Sequence, residues 1–292
     1  MQNSFLDIRS TMNDLLDAKR LPQSSQFLED ALDRIESESG DFKSFIAALL
    51  ETSFWSTQNF PGNPFINLCN ELAVQIDHLA IANTEPAYHS RSHFKDVCLM
   101  ISYLLLQQEI WPEKQSINNP WYVSTEEHWL LLYAAIAHDL AHPGFINQSP
   151  CEIEQNSLDL LRQHLIASST DQTIYGPILE LVSPWVLATD HAFYPKQLKQ
   201  AALTNPDHQD CLAMLLIEAD LLSSVLPKRG LDLAYRLSQE WQAHYPDKSI
   251  ALRNEVGYLS FLNSLEFLSP HSQAAQIPHI LNSSVLQLQS RL

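Results

Sequence analysis

The stretch Trp129-Leu130-Leu131-Leu132-Tyr133-Ala134-Ala135-Ile136-Ala137-His138-Asp139-Leu140-Ala141-His142-Pro143-Gly144-Phe145-Ile146-Asn147 decides the fold of this chain. Its first nine residues are almost wholly apolar, and Leu and Ala, both strong helix formers, dominate them. A bilayer span needs about 20 such residues, so the run reads as a helix buried on most sides in a protein core. The surrounding sequence supports that environment, because apolar residues recur at three- and four-residue spacing through most of it and strand-like alternation is scarce. Breakers fall between the periodic stretches: Phe60-Pro61-Gly62-Asn63-Pro64, Asn118-Asn119-Pro120, Gly176-Pro177, Pro195, Asn205-Pro206, Pro227 and Pro270. The pattern predicts helices over about residues 26–37, 43–54, 65–82, 91–109, 125–138, 151–167, 177–188, 209–224, 230–243 and 252–267, with ends good to two to four residues. This is an all-α class, read as one domain over 1–292 with an N-terminal helical part before about residue 85.

Composition removes several function classes. Lys and Arg number 17 against 34 Asp and Glu, a net charge of -17 that opposes a nucleic-acid backbone. No basic and apolar leader opens the chain, so a cytoplasmic protein without membrane contact is expected. Cys69, Cys98, Cys151 and Cys211 form no C-x-x-C pair, which points away from a disulfide framework or a thiolate zinc site. Only 6 residues are Gly, and neither phosphate-cradling motif, G-x-x-x-x-G-K-[ST] or G-x-G-x-x-G, occurs.

Histidines and carboxylates gather in three places. Tyr88-His89-Ser90-Arg91-Ser92-His93 puts two imidazoles four residues apart, on one face if the segment is helical, although a surface pair has the same spacing. His138-Asp139 ends the apolar helix, where an ionised carboxylate is costly without a cation or firm partner; a simple C-terminal cap, with His142 and Pro143-Gly144 as its stop signal, is the competing reading. Asp220 ends a second apolar run, Cys211 to Asp220. Together, His93, His138, Asp139 and Asp220 make two imidazoles and two carboxylates, a donor set suited to zinc or another first-row ion.

These residues, in this order, resemble the HD-type metal site of the class I 3',5'-cyclic nucleotide phosphodiesterases. The family's Tyr-His-Asn-x-x-His is met by Tyr88, His89 and His93, with Ser90 in place of Asn. Its His-Asp-x-x-His-Pro-Gly-x-x-Asn is met at every fixed position by His138, Asp139, His142, Pro143, Gly144 and Asn147. Ile153-Glu154-Gln155-Asn156, Leu187-Ala188-Thr189-Asp190 and Glu218-Ala219-Asp220 are similar to further family segments, and the likeness covers about residues 67–268.

The resemblance implies a compact helical domain whose metal site and substrate pocket lie within about residues 86–268. Two divalent ions are implied, the tighter one zinc or another transition ion on His93, His138, Asp139 and Asp220, the second Mg2+ or Mn2+ reached through Asp139 and otherwise held by water. A hydroxide bridging the ions would attack the phosphorus. His89 would be the general acid, with Glu154 keeping it protonated or ordering metal-bound water, while His142, Asn147 and Asp190 orient the site. Tyr88 and Asn147 would face the substrate, a small nucleotide or other phosphoester; a homodimer is compatible with the sequence.

One departure bears on substrate. The family's Ser-Gln-x-Gly-Phe, which reads the purine edge and stacks on its ring, aligns with Asn254-Glu255-Val256-Gly257-Tyr258. Tyr258 keeps a stacking face, but Glu255 replaces an amide by a group that, when ionised, only accepts hydrogen bonds. Ala141 replaces a second family polar residue, an Asp. Three readings follow: a cyclic-nucleotide phosphodiesterase acting on cAMP or cGMP, an HD-type hydrolase of another phosphoester, and a catalytically silent nucleotide sensor.

Overall fold

Sixteen α-helices and no strand form among the described residues, 2–20, 22–110, 118–168 and 172–292 of a computed structural model. The N-terminal part holds α1 (Gln2–Leu15), α2 (Ser25–Glu38), α3 (Phe42–Leu50), α4 (Ser53–Thr57) and α5 (Phe65–Ala82). Next come α6 (Arg91–Leu106), α7 (Thr125–Ala137), α8 (Glu152–Ser168), α9 (Gln172–Leu187), α10 (Tyr194–Ala201) and α11 (His208–Leu222). The chain closes with α12 (Arg229–Trp241), α13 (Pro246–Arg253), α14 (Glu255–Leu262), α15 (Pro270–Ala274) and α16 (Ile277–Gln289).

α6, α7 and α11 form the centre. Each is buried along most of its length, His93 to Leu106, His128 to Ala137 and Cys211 to Ala219, which is why their sequences carry no one-sided apolar stripe. A capping box starts α7: Ser124 Oγ accepts from the Glu127 N–H, and the Glu127 carboxylate accepts from the Ser124 N–H at 2.8 Å. α6 runs against the other two, so its N-terminal turn meets the C-terminal ends of α7 and α11. One apolar core runs from Ile8 to Leu288 around these three helices.

Three boundaries differ from expectation for identifiable reasons. The helix expected over about 43–54 divides because Thr52 leaves α3 and caps α4, its side chain accepting from the Trp55 N–H. The one expected over about 252–267 divides at Asn254, which is extended and whose Oδ1 accepts from the Gly257 N–H at 2.8 Å to start α14. α9 begins before Gly176-Pro177 and runs through both Pro177 and Pro184. α1, α10, most of α13, α15 and α16 lie outside the expected set; α16 nevertheless carries a readable stripe, Ile277, Ile280, Ser284 and Leu288.

The core also sets a pH response. His128 on α7 is buried, its Nδ1 lying 2.9 Å from the Gln58 amide oxygen, and burial pushes the imidazole down to about 4. His271 is fully buried near it, and burial with the neighbouring His128 pushes it down to about 3. An unfolded His titrates near 6.5, so as pH falls below that value the unfolded chain takes up protons that the folded chain refuses, and stability drops. Thermal midpoints should therefore fall by several °C between pH 7 and pH 5, and His128→Leu should flatten that fall. The same slope in His128→Leu as in the parent would mean that His128 plays no part in it.

Candidate metal centre and active site

Three buried helix ends deliver the metal-ligand candidates: the first turn of α6 carries His93, the residues closing α7 are His138 and Asp139, and the last turn of α11 carries Asp220. His138 Nδ1 lies 2.8 Å from the Ala135 carbonyl. A carbonyl only accepts, so Nδ1 carries the proton and the Nε2 lone pair faces inward, as a metal-binding imidazole requires.

His93 Nε2 lies 3.1 Å from Asp220 Oδ1 and 3.4 Å from Asp139 Oδ2; His138 Nε2 lies 3.1 Å from Asp139 Oδ2, 3.8 Å from Asp220 Oδ1 and 3.3 Å from His93 Nε2. Four donors placed 2.0–2.2 Å from one ion in a tetrahedron stand about 3.4 Å apart, so the set fits a first-row ion at its centre. Electrostatics agree. Burial alone would lower His93, but the converging carboxylates of Asp139 and Asp220 overcome it and push the ring up to about 10. Burial would raise Asp139, yet His138 and His89 hold it well below the carboxylate range. Both carboxylates thus favour positive charge at this point, and a cation there would compete with protons for the same imidazole nitrogens.

A second group of close donors, His89, Asp139 and His142, lies beside His93, His138 and Asp220. His142 Nδ1 accepts from the Gly144 N–H at 3.0 Å, leaving Nε2 as its protonated nitrogen. Its ring stacks on His89 at 3.5 Å between centroids, and burial with the neighbouring His89 pushes it down to about 3. His89 Nε2 lies 3.9 Å from Asp139 Oδ2.

The partner of His89 is Glu240 on α12, not Glu154. Glu240 Oε1 lies 2.5 Å from His89 Nδ1, while Oε2 accepts from the backbone N–H groups of Tyr88 at 2.8 Å and His89 at 3.1 Å. Burial would raise this carboxyl, but His89 and the two backbone donors keep it below its ordinary value. Gly144 makes the approach possible: its φ is +76, and a Cβ there would stand 3.2 Å from Glu240 Cγ. No sequence pattern marks Glu240, which is 151 residues from His89; only the packing of α12 against the start of α6 brings it in.

Glu154 instead accepts from Asn147 Nδ2 at 2.8 Å, and Asn147 Oδ1 accepts from the Ile153 N–H at 2.8 Å, so the two residues lock the loop after His142 to the start of α8. Burial raises the Glu154 carboxyl. Asp190 does similar work, accepting from the N–H groups of Cys151 and Ala192, each at 2.9 Å. Tyr88, His89, Asp139, His142, Asn147, Glu154, Asp190 and Asp220 all border one cavity of about 540 Å³.

Glu255 and Tyr258 do not border it. Tyr258 is 2% exposed, packed beneath Gly230 with its hydroxyl donating to the Ser224 carbonyl at 2.8 Å, and Glu255 faces outward 3.8 Å from Arg291. The Asn254 cap sets this orientation by starting α14 afresh, and the ring that reaches the cavity from α14 is Phe261. The base-reading assignment of Glu255 and Tyr258 is therefore corrected.

No protein-family model and no curated protein sequence matches the chain. Solved structures do. LmjPDEB1 in complex with IBMX superposes with a TM-score of 0.66 at 16% identity, covering 89% of this chain and 90% of that one. The phosphodiesterase domain of the rhodopsin phosphodiesterase from the choanoflagellate Salpingoeca rosetta superposes at 0.61 with 18% identity and 94% coverage of both chains. A second structure of a phosphodiesterase domain from that organism, from the RhoPDE fusion protein, gives 0.59 with 16% identity over 94% of this chain and 95% of that one. The all-α fold is thus that of phosphodiesterase domains. No described helix is long and apolar enough to cross a membrane.

Proposed function

We propose that the chain is a metal-dependent phosphodiesterase that hydrolyses a 3',5'-cyclic nucleotide to the 5'-monophosphate. The observation that carries this reading is the approach of the Asp139 and Asp220 carboxylates to within 3.1–3.8 Å of His93 and His138 Nε2, beside a cavity that also holds His89. These four residues would hold zinc or another transition ion, and Asp139 would reach a second, hard ion such as Mg2+ or Mn2+. Bound there, the ions supply positive charge for the phosphoryl oxygens and an activated water.

The chain's own part is proton delivery and orientation. Hydrolysis breaks the bond from phosphorus to the ribose 3' oxygen, and that oxygen needs a proton as it leaves. His89 offers one from Nε2, because Glu240 anchors Nδ1 and turns the opposite nitrogen toward Asp139. A carboxylate on the far nitrogen fixes the orientation of the ring. His142 stacks on the ring and Asn147 steadies Glu154. Leu221, Leu237 and Phe261 give the cavity an apolar wall against which a base can lie. The position of Glu255 outside the cavity favours a second reading, an HD-type hydrolase of another phosphoester.

The test is metal content and product analysis. Protein purified without chelator should carry about one tightly held transition ion per chain and convert cAMP or cGMP to the 5'-monophosphate, with activity lost to EDTA and restored by Zn2+ or Mn2+. Metal content near zero that no ion restores would refute the site. Hydrolysis confined to other phosphoesters would select the second reading.

A further inference from the structure

A line of polar contacts runs between α12 and α6 together with the turn that leads into it, outside the ligand set. Three pairs occur in antiparallel order: Glu240 with His89, Arg236 with Ser92, and Arg229 with Asp96. Arg229 grips Asp96 bidentately, Nε to Oδ2 and Nη2 to Oδ1, each at 2.7 Å, and its side chain is only 3% exposed. Arg236 Nη1 reaches Ser92 Oγ at 3.3 Å and Glu36 at 2.8 Å. Arg236 is one turn before Glu240 on α12, and Ser92, in the first turn of α6, is three residues after His89, so the Arg236–Ser92 contact is the neighbour of the pair that orients the ring.

The acidic face of α2 closes the other side. Glu36 bridges both guanidinium groups, Asp33 meets Arg229 Nη1 at 2.8 Å, and Glu29 Oε1 accepts from the backbone N–H groups of Lys228 and Arg229. Arginine cannot discharge by losing its proton, so sliding α12 along α6 would strand buried charge, which is costly. A short hydrogen bond such as His89–Glu240 tolerates little sliding.

We infer that Arg229 and Arg236, held by the acidic face of α2, are positioning residues that set the register of α12 on α6 and so deliver Glu240 to His89. This rests on the reading of His89 as proton donor. Arg236, partly exposed, is the residue to change. Arg236→Gln should lower kcat on the cyclic nucleotide by about tenfold, in keeping with the cost of small misplacements in an active site, with KM and metal content within twofold. Turnover of a 4-nitrophenyl phosphodiester, whose leaving group needs no proton, should stay within twofold. Arg236→Lys, which keeps the charge beside Glu36, should recover most of the loss.

Equal losses on both substrates, or no loss on either, would overturn the inference. A second measurement needs no turnover: in the zinc- and magnesium-loaded protein the His89 Nδ1 proton should resonate far downfield, and Arg236→Gln should weaken that signal while Arg236→Lys keeps it. An unchanged signal in Arg236→Gln would overturn the register argument. Should His89→Ala lose equally on the two substrates, the proton-donor reading fails instead, and the resonance alone decides the register.

Discussion

Asp139→Ala is expected to abolish turnover, by on the order of 10³-fold or more, and to lower metal content in the same protein. The reason is position. Asp139 Oδ2 stands 3.1 Å from His138 Nε2 and 3.4 Å from His93 Nε2, and the same residue joins His89 and His142 in the second cluster. On the proposed two-metal reading its loss would remove a donor from one ion and the link to the other, and metal charge on a phosphoryl group is worth several kcal/mol, with each 1.36 kcal/mol a factor of ten in rate. Asp139→Asn is the companion variant, because it keeps the side-chain volume and neutralises the charge. Elemental analysis and product formation are measured together; near-normal turnover in Asp139→Ala would end the two-metal reading.

His89→Ala should lower kcat on a cyclic nucleotide by about 10²–10⁴, the range for losing a positioned general acid, while the metals stay in place. His89 sits beside the ligand group and outside the four-donor set, its Nε2 3.9 Å from Asp139 Oδ2. The loss should shrink toward unity on a 4-nitrophenyl ester. A large fall in metal content would make His89 a ligand, as its membership in the second cluster allows, and an equal loss on both substrates would sink the acid assignment.

The fold was legible where burial leaves a compositional mark. α7 announces itself because a helix enclosed on all sides must be apolar on all sides, and α5 and α6 start where expected because Pro64 and Ser90 precede clear periodicity. The ligand candidates were legible because costly groups, His138, Asp139 and Asp220, interrupt apolar helices at their ends. Glu240 was not, since an acid on a helix with an exposed side looks like any solvated Glu until α12 is laid against α6. Glu255 and Tyr258 were misplaced for a related reason: alignment fixes order along the chain, whereas a cap at Asn254 fixes which way α14 points. Glu154 kept its place at the cavity but met Asn147 rather than His89, a choice that loop geometry makes and spacing does not reveal.

The grip of Arg229 on α2 has a consequence during synthesis. Glu29 and the Arg229 backbone it binds are 200 residues apart, and a ribosome adding 5–20 residues per second needs roughly 10–40 s to cover that distance. Through that interval α2 exists with its acidic face unanswered, and the start of α6 has neither Arg236 nor Glu240 to meet. The nascent protein can collapse around α3 and α5 early, but the His89–Glu240 contact closes only when α12 has left the exit tunnel. A chain ending between Asp220 and Arg229 keeps the four candidate metal ligands and lacks Glu240, the carboxylate that anchors the His89 ring.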